Sequence, residues 1–148
     1  MKNLSQIQVI QTALTKEKEK HLHELAIVVK NIDKKMTMIN RMVVYQNEYV
    51  NSDNLKISKS IPSLIKNLYA FSGKMDDLIK KAEIEIVEMQ KTKEAILTTI
   101  EQVDNKIKVM NIFEESAKKE AFLKAEKREQ AMADDLVSIK HVGGESYE

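Results

Sequence analysis

The sequence contains no cysteine and no tryptophan. The missing thiols exclude disulfides and thiolate chemistry and leave the redox compartment unmarked. One proline and three glycines in 148 residues leave little material for turns or a β-sandwich. Charge of one sign is not in excess. The 24 basic and 23 acidic residues give a net charge of +1, without the basic surplus typical of nucleic-acid binders. Long apolar runs are missing too. The longest is about five residues, Leu25 to Val29, against roughly 20 needed to cross a bilayer. Met1 to Thr15 mixes Gln, Asn and Ser with its apolar residues and has no signal-peptide core. These absences lead us to expect a soluble, cytoplasmic protein that meets a membrane only through protein partners.

What is present is the composition of a long helix: Lys, Glu, Ile, Leu and Met in a repeating pattern. From Ile61 to Ala121 the positions Ile61, Ile65, Leu68, Ser72, Met75, Ile79, Ala82, Ile86, Met89, Lys93, Ile96, Ile100, Val103, Ile107, Met110, Glu114, Ala117 and Ala121 follow strict 4-3 steps. Fifteen of these 18 positions are apolar; only Ser72, Lys93 and Glu114 are not. A sustained 3.5-residue period needs a partner that keeps facing one stripe, which makes it a coiled-coil signal. Gly73 is the one turn residue inside it, tolerated in a long helix at about 1 kcal/mol.

The partner stripe is sought upstream. Leu22, Leu25, Val29, Ile32, Met36, Ile39, Val43, Gln46 and Val50 also run in 4-3 steps. Extended backwards, that register falls on Lys18, Thr15, Gln11 and Gln8, so Leu4, Ile7, Ile10 and Leu14 lie out of phase. The charged run Lys16 to Lys20 is then the expected site of a stammer. Asn51 to Ser60 is rich in Asn, Ser and Asp, which compete with the helix for backbone hydrogen bonds. Pro62 suits the first turn of a following helix, with Ser60 or Ile61 as its cap. The expected fold is all-α: a single domain, an antiparallel two-helix coiled-coil hairpin with unequal arms. Helix one covers about residues 4–50, the turn 51–60 and helix two about 61–140. His141, Gly143 and Gly144 would end helix two, leaving a frayed tail at 141–148.

At 1.5 Å per residue the arms would measure roughly 70 and 120 Å. With Val50 opposite Ile61, Leu4 would lie opposite about Ile107, and helix two would overhang from about Asn111 to Lys140. The overhang offers Glu114–Lys118, Glu115–Lys119 and Glu120–Lys124 in the favourable order for helix support. Phe113, Phe122, Leu123, Met132, Leu136, Val137 and Ile139 would be exposed there, a candidate docking surface.

No catalytic constellation is present. His21 and His23 are two residues apart and face different sides of a helix. His-Glu-x-x-His, Walker and Gly-x-Ser-x-Gly motifs are all lacking. Met36, Met42, Met75, Met89 and Met110 lie on or near the stripes and read as core filling. We therefore expect no enzyme, no cofactor and no metal.

Helix one ends in Tyr45-Gln46-Asn47-Glu48-Tyr49, followed by the polar turn and then Tyr69 and Phe71. With the short-arm, long-arm layout, these residues resemble the FliJ family of the flagellar type III export apparatus. The resemblance implies a hairpin similar to the central stalk of rotary ATPases. It further implies three partners: the hexameric export ATPase, the cytoplasmic ring of the export gate, and export chaperones that the protein escorts. It places the protein in the cytoplasm, peripherally at the inner membrane beneath the flagellum. On this resemblance the overhang enters the ATPase ring through Phe113, Phe122, Leu123, Met132, Leu136 and Ile139. The gate candidates are Phe71, Met75, Leu78 and Ala82. Tyr45 and Tyr49, at i and i+4, would pack at the base of the turn or join a partner site. A free-standing coiled-coil chaperone or adaptor, or the equivalent stalk of a virulence injectisome, is the alternative.

Overall fold

The computed structural model describes residues 3–49, 51 and 61–145, with side chains as far as 139. Two helices make up the described chain: α1, Leu4–Tyr49, of 46 residues, and α2, Pro62–Glu145, of 84 residues. Most of the expected turn, residues 52–60, lies outside the described residues. Each helix begins for a local reason. Asn3 Oδ1 accepts the Gln6 amide at 2.8 Å and Gln6 Oε1 accepts the Asn3 amide at 3.3 Å, a reciprocal capping box that satisfies two orphan donors. At α2 the Ile61 carbonyl accepts the Leu64 and Ile65 amides at 3.0 and 3.4 Å. This makes Ile61 the cap and puts Pro62 at the first helical position, where its missing N–H leaves no gap. At the other end α2 runs on through Gly143 and Gly144 to Glu145 rather than stopping near Lys140. Neither glycine takes the positive φ of a left-handed cap. The last residues of the expected tail, 146–148, lie outside the described residues.

The heptad stripe of α2 is the buried one. Leu68, Ile79, Ala82, Ile100, Val103 and Met110 are buried, and the other stripe positions between Ile65 and Ala117 are half-buried. Only its two outermost positions, Ile61 and Ala121, are exposed.

The stripe of α1 differs from the sequence reading. Burial follows Leu4, Ile7, Gln11, Leu14, Lys18, His21, Leu25, Val28, Ile32, Lys35, Ile39, Met42 and Gln46, in 3-4 steps without a break. The charged run holds no stammer, and Leu4, Ile7 and Leu14 are in phase. Leu22, Val29, Met36 and Val43, expected on the stripe, stand beside it, 43, 37, 48 and 37% exposed. Polarity is the reason. Lys18, His21 and Lys35 occupy stripe positions on long or part-buried side chains that present a polar tip at the edge. A reading that follows apolar residues slides to the neighbours.

The chain divides into two compact units, and in each the helices pair antiparallel. In the unit of Met1–Lys18 with Gln102–Glu148, Lys18 Nζ bonds Asp104 Oδ1 at 2.7 Å and Gln11 Nε2 donates to Asn111 Oδ1 at 3.0 Å. One heptad back on α1 matches one heptad forward on α2. Leu4 therefore faces about residue 118, not Ile107, and the exposed overhang starts at 118 rather than 111. In the unit of Glu19–Glu101, Lys35 pairs with Glu85, and Gln46 faces Ser72 and Asp76. Tyr49 lies on Phe71, ten residues beyond Ile61 on α2; the expected partner of Ile61, Val50, lies outside the described residues.

Gly73 lies on α2 in this second unit, and a Cβ added there would meet nothing within 4 Å. Gly73→Ala is expected to stabilise the fold by about 1 kcal/mol, because alanine loses less backbone entropy in a helix. A denaturant melt should show the gain as a raised midpoint with unchanged slope.

Candidate partner-binding surfaces

The Glu19–Glu101 unit brings the Tyr45–Tyr49 segment against the start of α2. Tyr45 and Tyr49 follow one another on a face of α1 by their i,i+4 spacing. Their rings lie 6.2 and 4.2 Å from that of Phe71, tilted by 58 and 42°, geometries that favour aromatic contact. The tyrosines thus pack on Phe71, as their spacing suggests, while Tyr45 remains 59% exposed. Between them Gln46 Nε2 lies 3.1 Å from the Ser72 carbonyl, 3.2 Å from Ser72 Oγ and 2.8 Å from Asp76 Oδ1. The polar interruptions of the two stripes, Gln46 and Ser72, thus meet each other. Two half-buried polar groups that satisfy each other favour this register, because a slip would separate them. Sequence reasoning placed both residues on stripes but did not match them to each other.

The gate candidates separate by burial. Ala82 is only 4% exposed, and Phe71 and Met75 are half-buried, whereas Leu78 is 49% exposed. Asn47 and Glu48 are exposed beside the tyrosines. A shallow groove on α1, lined by Thr37, Asn40, Arg41, Val44, Tyr45 and Glu48, adjoins them.

In the other unit, every residue of α2 from 118 to 139 is exposed. Phe113, Phe122, Leu123, Met132, Leu136 and Ile139 are 47 to 68% exposed. Glu114 and Lys118 close at 3.2 Å where the overhang begins. Glu114 is held below the ordinary carboxylate value of 4.5 by hydrogen bonds from Gln11 and Lys118. In the other unit Glu85 is likewise held below 4.5, chiefly by its hydrogen bond from Lys35.

Both carboxylates join the helices across the pairing or at its end, and both have depressed folded values. Their contribution is therefore present above 4.5 and lost as pH falls through the folded values below it. The melting temperature should be flat from neutral pH to about pH 5 and fall below that. Glu85→Gln with Glu114→Gln should make the acid limb shallower. An acid limb unchanged by the pair would remove these groups from the account.

Among the described residues no group of three or more His, Cys, Asp or Glu could hold a metal ion, and no helix is long and apolar enough to cross a membrane. No curated protein and no solved structure matches the chain. A family model does: the Flagellar FliJ protein family, over residues 2–146. That span takes in both helices and the segment between them, and on it the chain belongs to the flagellar FliJ family and is a component of flagellar export rather than an enzyme.

Proposed function

We propose that this chain is the central stalk of the flagellar export ATPase, standing in its hexameric ring by the overhang of α2 and reaching the cytoplasmic ring of the export gate with the end that carries the tyrosines. The observation that carries the reading is the overhang. Residues 118–139 form six turns of helix with every side chain exposed, and large apolar groups lie along them. Burying each such group is worth roughly 1.5–3 kcal/mol. The helix is already formed, so little ordering entropy opposes binding. An axle needs no chemistry of its own. It biases ring subunits by presenting different faces to subunits in different nucleotide states.

In the Glu19–Glu101 unit, Leu78 and the rim of Phe71 are the side chains best placed for a gate contact; Ala82 would act only by letting the helices approach. Escort of export chaperones, and a position at the cytoplasmic face of the inner membrane held by protein partners, complete the proposal. The test is binding to the purified export ATPase. Phe122→Ala with Leu136→Ala should leave the circular-dichroism melt unchanged and weaken binding at least about tenfold, a loss of two buried apolar contacts. Unchanged binding would remove the overhang from the interface. A collapsed fold would mean that these residues are core.

A further inference from the structure

We infer that the overhang of α2 is also a self-association surface, on which residues 118–139 pair antiparallel with the same segment of a second copy of this chain. Three observations converge on that occupant. First, the exposed helix carries an apolar face of its own. Beyond Ala121 the 4-3 steps fall on Lys124, Arg128, Ala131, Asp135 and Ser138, whereas Ala117, Ala121, Ala125, Met132, Leu136 and Ile139 share one face at 3.6 residues per turn, Ala121 and Ile139 being five turns apart. All but Ala117 are exposed.

Second, the charge of the segment is divided between its halves. Residues 118–128 carry five bases against Glu120 and Glu126, a net of +3. Residues 129–139 carry Glu129, Asp134 and Asp135 and no base, a net of −3. A parallel pair would set like on like, whereas an antiparallel pair sets +3 on −3 twice. Third, the side-chain sizes are self-complementary about the same axis. A two-fold between Arg128 and Glu129 puts Ala121 opposite the second copy's Leu136 and Ala125 opposite its Met132. Small then meets large at four places, the arrangement that lets facing helices interdigitate. A lipid surface would require a basic polar face along the segment, and residues 129–139 carry no base.

The segment is 22 residues, about 33 Å of helix, a small interface whose pairing is expected to be weak and concentration-dependent. This inference does not rest on the stalk reading. It shares that reading's surface, so a self-paired copy could not also occupy a ring.

The test is sedimentation equilibrium of the full chain alone, from about 5 to 500 µM, the range in which weak dimers form. The mass should climb from the monomer's 17.0 kDa toward twice that, less steeply in high salt. Ala121→Glu, on an exposed site, should weaken the dimer about tenfold or more by setting a charge against an apolar partner. Lys118→Glu with Lys119→Glu and Lys124→Glu makes both halves acidic; Glu129→Lys with Asp134→Lys and Asp135→Lys makes both basic. Each triple variant alone should stay monomeric, and their mixture should dimerise. Orientation is read by crosslinking, which the absence of native cysteine keeps clean. Ala121→Cys and Leu136→Cys should form a disulfide when mixed, and Leu136→Cys should not crosslink to itself. A monomer at every concentration, a dimer indifferent to Ala121→Glu and to both triple variants, or efficient self-crosslinking of Leu136→Cys would each overturn the inference.

Discussion

Replacing Val103 by aspartate should unpair the helices around it and lower stability by about 4 kcal/mol. Val103 is 2% exposed, the most enclosed stripe position of α2 after its unbroken heptad run. A carboxylate there loses its water beside Ile107 and Met110, and Lys18, the cation that α1 brings to this level, is already engaged by Asp104. It escapes only by taking a proton, so burial raises its pKa. The damage should therefore be larger at neutral pH than in acid. A loss of this size is a large share of the 5–15 kcal/mol that holds an ordinary fold together. Val109, six residues on, is 46% exposed, and the same substitution there should change stability by no more than about 0.5 kcal/mol. Thermal melts of the two variants side by side decide the matter. Equal losses would mean that the stripe is not where the burial places it.

The second large effect tests the register of α1. Val28 is half-buried on the stripe, and Val29 is 37% exposed beside it. Val28→Asp should cost about 2 kcal/mol or more, and Val29→Asp less than about 1. The two variants have the same composition, charge and helix propensity, so a difference between them reports only which side chain faces α2. The reverse order would restore the stripe through Leu22, Val29, Met36 and Val43.

That comparison bears on what the sequence can and cannot say. The stripe of α2 is legible because its apolar residues sit on one face, with polar positions around them. Fifteen apolar residues in 18 positions leave one phase to choose. The stripe of α1 is not legible from apolarity, because Gln11, Lys18, His21 and Lys35 hold inward positions while Leu22, Val29 and Met36 stand next to them. The pairing of the arms is hidden for a related reason. Measured from the turn, Val50 belongs with Ile61. Measured from the polar residues, Gln46 belongs with Ser72 and Gln11 with Asn111. Unsatisfied polar groups between helices are expensive, so the polar interruptions are the better guide to register. Matching those interruptions across the two arms was the signal available in the sequence.

The surfaces divide in the same way. The exposure of Phe122, Met132 and Leu136 follows from an arm that outlasts its partner, which two unequal helices already imply. The spacing of Tyr45 and Tyr49 puts them on one face, but their contact with Phe71 emerges only from the packing of the two helices. The burial of Ala82 follows from its place on the stripe, and it separates Ala82 from Leu78, one turn earlier and facing outward. The methionines also divide. Met110 is buried and Met42, Met75 and Met89 are half-buried, but Met36 is on the surface.

The most direct test of the stalk is turnover of the purified export ATPase with no addition, with the full chain, and with a chain cut after Lys118, where the pairing with α1 ends. The account predicts stimulation by the full chain and none by the shortened one, with both folded by circular dichroism. Stimulation by both would keep a stalk but move its contact to the paired helices. No stimulation by either would contradict the stalk and leave a coiled-coil adaptor in its place.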